Sequence, residues 1–137
     1  MSINKEVVNI SNSEYQTHNS VVLAIVGFRS YNNYNHFSIH LKHYLENYKL
    51  KIDRIVSGGA NGIDTLAQKY ATEHKIPITI HYADWARWGR SAGPMRNQLI
   101  INDATHLVAF PDSKSIGTWD SVNKAKKKHI PIKIYDV

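Results

Sequence analysis

Four short stretches of this 137-residue chain bring together residue types that can hold an anion. Ser57-Gly58-Gly59-Ala60-Asn61-Gly62-Ile63-Asp64 and Ser115-Ile116-Gly117-Thr118 each set glycine just ahead of a helix-periodic segment. Glycine there lets backbone approach a phosphate, and the unpaired N–H groups of a first helical turn favour the negative charge. Either turn alone could be nothing more than a tight strand-to-helix connection, so the weight rests on the pair. Arg96-Asn97 follows Ser91-Ala92-Gly93-Pro94 at a helix opening, from which a guanidinium fork can clamp phosphate or carboxylate. The plain alternative is a surface arginine paired with an acid. Gly27-Phe28-Arg29-Ser30 adds a second arginine, and Asp84-Trp85 sets a carboxylate beside a ring that either stacks on a planar group or plugs the core. The expectation is an anion on the Gly58 and Gly117 turns, charge from Arg96 and Arg29, a hydroxyl from Thr118, and ribose or base read by Asp84 or Asn97. Gly27, Ser30, Gly59, Ala60, Asn61, Asp64 and Trp85 complete the candidate set.

These residues need elements to hold them. The run VVLAIVGF over 21–28 is β-branched and continuous, as a strand buried on both faces should be. Phe37, Leu41, Tyr44, Leu45 and Tyr48 recur at helical spacing after an Asn-rich turn. A second strand over 52–56 runs into Ser57, and Ile63, Leu66, Ala67, Tyr70 and Ala71 then mark a helix opening near Asn61, a good cap residue. Further strands are expected over 76–80, 106–110 and 131–135. Helices should start with Pro94 near the first turn, carrying Met95, Leu99 and Ile100, and run over 118–128. ADWARWGRSAGP reads as irregular. Strict alternation of strand and helix predicts one α/β domain over 21–137: a Rossmann-like, doubly wound, mainly parallel five-stranded sheet with its loops converging at the C-terminal strand ends. The polar residues 1–20 read as an arm.

Composition narrows the classes. Seventeen Lys and Arg against eleven Asp and Glu leave a net charge of +6, which suits an anionic partner. With no cysteine there is no disulfide framework, thiolate metal site or thiol nucleophile. No apolar run approaches the ~20 residues of a membrane helix, and the start lacks a signal-peptide core, so a soluble protein of the cytoplasm is the default. His36, His40 and His43 share a helix face without the glutamate of a zinc helix, and read as an exposed polar face; no metal is expected. Lys124, Lys126, Lys127 and Lys128 read as a solvated helix end that complements the dipole.

The phrases SGGANGID, ADWARWGRSAGPMRN and VAFPDSKSIGT, in that order, resemble the SLOG superfamily of Rossmann-like nucleotide-binding proteins. The similarity is greatest to its small bacterial and phage branch with GSR, GGARGAD, ADW, GPxRN and GT signatures, and it covers residues 21–135. This chain has Phe28 where that branch usually has serine, and Asn61 where it often has arginine. The resemblance implies a nucleotide or nucleotide-derived ligand, cyclic nucleotides and ADP-ribose derivatives among them, held by a sensor or sequestering protein that forms homo-oligomers and needs no cofactor. Two better known relatives imply alternatives. DprA-like proteins share an SGGA-x-GID turn and an RN pair and bind single-stranded DNA. LOG-like phosphoribohydrolases, which split nucleoside 5′-monophosphates into base and ribose 5-phosphate, share an arginine in a helix followed by a strand and PGGxGTxxE. Arg96 and Pro111 keep that spacing, but Asp112-Ser113 replaces Gly-Gly, two extra residues precede Gly117-Thr118, and the glutamate position is Ser121. N-glycosidic cleavage needs a carboxylate that serine cannot supply. Asp120, about 100° round the helix, and Arg96 are the catalytic candidates, and binding is expected rather than catalysis.

Overall fold

A computed structural model of the chain describes residues 20–137, so the arm expected over 1–20 lies outside them except for Ser20. The apolar runs form β1 (Val22–Gly27), β2 (Arg54–Gly58), β3 (Ile78–His81), β4 (His106–Phe110) and β5 (Ile132–Ile134). They make one parallel sheet in the order β3-β2-β1-β4-β5. Between them run α1 (Tyr34–Tyr48), α2 (Ile63–Glu73), α3 (Trp85–Trp88), α4 (Ala92–Asp103) and α5 (Ile116–Lys128).

The alternation of β1 explains both layers. Leu23 and Ile25 point to one face, where they pack with Phe37 and Leu41 of α1 and Ile63 and Tyr70 of α2. Val22, Ala24 and Val26 point to the other, against Ile100 and Ile101 of α4 and Val122 and Ala125 of α5. A strand covered on both sides carries no polar alternation, which is why its sequence reads as an unbroken apolar run. The chain leaves β1 toward β2 on one side and returns to β4 on the other. The order therefore reverses at the β1/β4 boundary, where open α/β sheets leave a crevice.

Several elements differ from expectation. α2 starts at Ile63 with Gly62 as its N-cap, one residue beyond the expected cap Asn61, so no side chain caps it. The stretch expected to be irregular holds α3, because the Asp84 carboxylate accepts from Arg87 N at 3.1 Å, followed by a 3-10 turn over Gly89–Ser91. In α4 the buried side is Ala92, Gly93, Asn97, Ile100 and Ile101, whereas Met95 and Leu99 are exposed. α5 begins two residues before Thr118, which places Gly117 inside its first turn. His36 and His43 are exposed as expected, but His40 tucks between Phe110 and Tyr135, with ring centroids 6.2 and 4.5 Å away. Lys128 is tied down: its Nζ donates to the Ile101, Asn102 and Ala104 carbonyls at the end of α4, at 2.7–2.9 Å.

Candidate functional site

The loops after β1 and β2 meet at a glycine. Gly62 has φ +73, a left-handed value, and a Cβ there would overlap the Phe28 carbonyl oxygen. Ile63 N donates to that same oxygen at 3.3 Å, so the first turn of α2 is fastened to the loop that carries Arg29.

Beside this junction lies a buried carboxylate. Asp64 accepts from Ala60 N and from the Ser57 hydroxyl, each at 3.1 Å. Burial pushes its carboxyl above the usual range, while those two hydrogen bonds and the charges of Arg96 and Arg29 pull it back down. Arg96, half-buried on α4, faces this carboxylate across Gly58. A Cβ on Gly58 would stand 2.6 Å from an Arg96 terminal nitrogen and 2.9 Å from Asp64 Oδ2. Gly58 was expected to cradle an anion; instead the space above it is filled by the protein's own guanidinium and carboxylate. Burial pulls Arg96 below its usual value and Asp64 offsets that pull.

Arg96 is also steered from its other side. Its Nε donates to Asn97 Oδ1 at 3.0 Å, and Asn97 Nδ2 donates to Gly117 O at 3.2 Å and Asp120 Oδ2 at 3.1 Å. Asp120 in turn takes Lys124 Nζ at 2.7 and 2.8 Å. The Asn97 amide is thus engaged at both ends and ties α4 to the first turn of α5. Asp120 belongs to this tie and lines neither lobe of the crevice. Ser121 does line it: the side chain is buried and its Oγ has no hydrogen-bond partner.

The crevice has two adjoining lobes that share Arg29, Ala60 and Arg96. The first, about 390 Å³, lies between the β1 loop, α4 and the start of α5. It gathers Gly27, Arg29, Ser30, Ala60, Asp64, Arg96, Asn97, Gly117 and Thr118 of the expected set. The second, about 320 Å³, adds Gly59, Asn61 and Trp85. Gly58 lines neither, and neither does Asp84, which caps α3. Sequence reasoning missed Lys114 in the first lobe and Tyr82 in the second, and named Ser121 only as the residue at the LOG glutamate position, outside the binding set. Ser121 was legible in principle, since it stands three residues after Thr118 and so on the same helical face. In the loop before α5, the Ser115 hydroxyl and Lys114 N donate to Asp112, which holds that carboxyl below its usual range.

The arrangement is electropositive: two guanidiniums, a lysine, a helix N-terminus and the hydroxyls of Ser30, Ser115, Thr118 and Ser121 surround a space whose two carboxylates, Asp64 and Asp112, already have partners. Among the described residues no cluster of His, Asp or Glu could hold a metal ion, and no helix is long and apolar enough to cross a membrane.

A family model for the YspA, cpYpsA-related SLOG family matches residues 21–88. The gene 61 protein of Mycobacterium phage D29 is 34% identical over 84 residues, a stretch covering 57% of this chain and 67% of that protein. The chain belongs to the YspA, cpYpsA-related SLOG family. No solved structure matches it. In this SLOG chain the model match carries Arg29, the Gly58 to Asp64 phrase and Trp85. Arg96, Gly117 and Ser121 lie beyond residue 88, so the α4 and α5 walls of the crevice are built by chain outside that match.

Proposed function

We propose that the crevice binds the phosphate of a nucleotide or nucleotide-derived small molecule, as a sensor or a sequestering protein would. The observation that carries this reading is the shared wall: Arg29 and Arg96 stand where two lobes meet at the β1/β4 switch point, opposite the first turn of α5. SLOG membership supports a nucleotide-type ligand over other anions. Calorimetry with mono-, di- and cyclic nucleotides and ADP-ribose tests it. Arg96→Ala should weaken binding about ten- to a hundredfold, the ~1.5 to 3 kcal/mol of a charge-assisted bond. Arg96→Lys, which keeps the charge but loses the fork, should fall between. Failure of every nucleotide to bind, or equal binding by Arg96→Ala, overturns the reading.

Binding rather than hydrolysis is proposed because Asp120 is held by Asn97 and Lys124 and the residue lining the floor is Ser121. Incubation with AMP, GMP, CMP and UMP is expected to release no free base. The single-stranded DNA reading draws less support, since Lys124 and Lys128 of the basic run are engaged within the fold.

A further inference from the structure

Two features of the crevice go beyond a simple phosphate site. The first is a pair of aromatic rings seated on glycine backbone. The Tyr82 ring lies over Gly59 so closely that a Cβ there would overlap it, and the Trp85 ring lies 3.1 Å from where a Cβ of Gly93 would stand. Both rings line the second lobe, yet they remain 70% and 51% exposed. Large, exposed rings packed against glycine backbone in the lining of a cavity offer stacking surfaces for a planar heterocycle. The second feature is in the first lobe, among the residues that the second lobe does not share. There the Ser121 hydroxyl is buried without a partner, a costly arrangement in a chain whose other buried polar side chains, Ser57, Asp64, Asn97 and Thr118, line or support the same crevice.

The two lobes share Arg29 and Arg96. A monophosphate occupies one fork, whereas two guanidiniums on one boundary match two linked phosphates, and the lobes on either side are of similar size. We infer that the ligand is two-ended: a pyrophosphate bridge between Arg29 and Arg96, a planar base in the Tyr82 and Trp85 lobe, and a hydroxyl-bearing arm such as a second ribose reaching Thr118 and Ser121. The class is therefore nucleoside diphosphates esterified on the distal phosphate, dinucleotides included. This inference rests on the nucleotide reading above and narrows it.

AMP, ADP and ADP-ribose are the probes, titrated calorimetrically against the full chain. ADP-ribose should bind at least about tenfold more tightly than AMP, with ADP between them. The Tyr82→Ala, Trp85→Ala double variant should weaken all three about ten- to a hundredfold while leaving inorganic pyrophosphate unchanged. Ser121→Ala should weaken ADP-ribose alone, by about three- to tenfold, without lowering the melting temperature. The two rings are exposed and the Ser121 hydroxyl is unpartnered, so none of these variants removes a core contact. Equal affinity for the three probes, unchanged affinity in the aromatic double variant, or a Ser121→Ala loss that is the same for all three overturns the two-ended ligand and leaves the nucleotide reading standing. No binding by any of them overturns both.

Discussion

At the scale of the residue, Asn97 shows how a side chain can matter to a ligand without touching it. One amide accepts from Arg96 and donates to both the Gly117 carbonyl and Asp120. Asn97→Ala would remove one hydrogen bond from each of these three partners and leave the partly buried Arg96 Nε without its acceptor. It is expected to lower stability by about 1 to 3 kcal/mol and to weaken ligand binding through a loosened Arg96, read as a melting shift together with a calorimetric loss. Asp64 makes a prediction about pH. Its carboxyl is held above the ordinary 3.8 in the fold, chiefly by burial. Between that value and the raised one, the folded chain keeps a proton the unfolded chain has lost, so the stabilisation is full below 3.8 and declines as pH rises. Melting curves over a pH series should show the difference between wild type and Asp64→Asn shifting against wild type as pH rises; a difference that moves the other way refutes the assignment. A surface arginine paired with an acid was the plain alternative for Arg96 from sequence; the structure sets it half-buried in the cavity wall, hydrogen-bonded to Asn97 and under the electrostatic influence of Asp64. What sequence could not reveal is that Gly58 serves Arg96, because the two lie 38 positions apart and a glycine ahead of a helix looks the same whether a phosphate or a guanidinium fills the space above it.

At the scale of the element, the strands were legible because burial on both faces leaves a continuous apolar signature, and their order followed from alternation with helices. Helix starts were less legible because their determinants are not local. Asn61 has the composition of a cap, but α2 starts after Gly62, whose left-handed φ and close approach to Phe28 O depend on the β1 loop more than thirty residues earlier. Gly62→Ala should therefore cost about 1 to 3 kcal/mol or more and lower the melting temperature sharply. Gly117 is the opposite case. It sits within α5 with nothing within 4 Å of where its Cβ would be. Gly117→Ala should keep or raise stability, by up to about 1 kcal/mol, and reduce ligand affinity by narrowing the first lobe. A variant that melts earlier and binds as before would show that this turn serves the fold alone. The Trp85 region was read as irregular because glycine and tryptophan mask a helical turn only four residues long, yet its one strong local signal, Asp84 before the turn, is the cap that forms it.

At the scale of the whole molecule, the net charge of +6 sets a field that draws any anion toward the surface, nucleotide or nucleic acid alike. Salt separates the two: release of condensed counterions makes affinity for an unstructured oligonucleotide collapse between low and physiological salt, while a small ligand held by two arginines in a crevice should lose much less. Anisotropy at two salt concentrations is the check. Gly58 gives this distinction a temporal form. Replacing it with alanine leaves every charge on the molecule in place and asks the flexible end of Arg96 and the Asp64 carboxylate to give way, so the long-range attraction that governs how often a ligand arrives is untouched. What changes is how long it stays, because the guanidinium no longer faces Asp64 in its holding pose. Stopped-flow traces for Gly58→Ala should thus show an ordinary association rate and a faster dissociation rate, the room that a single glycine leaves for Arg96 and Asp64 acting as the molecule's clock.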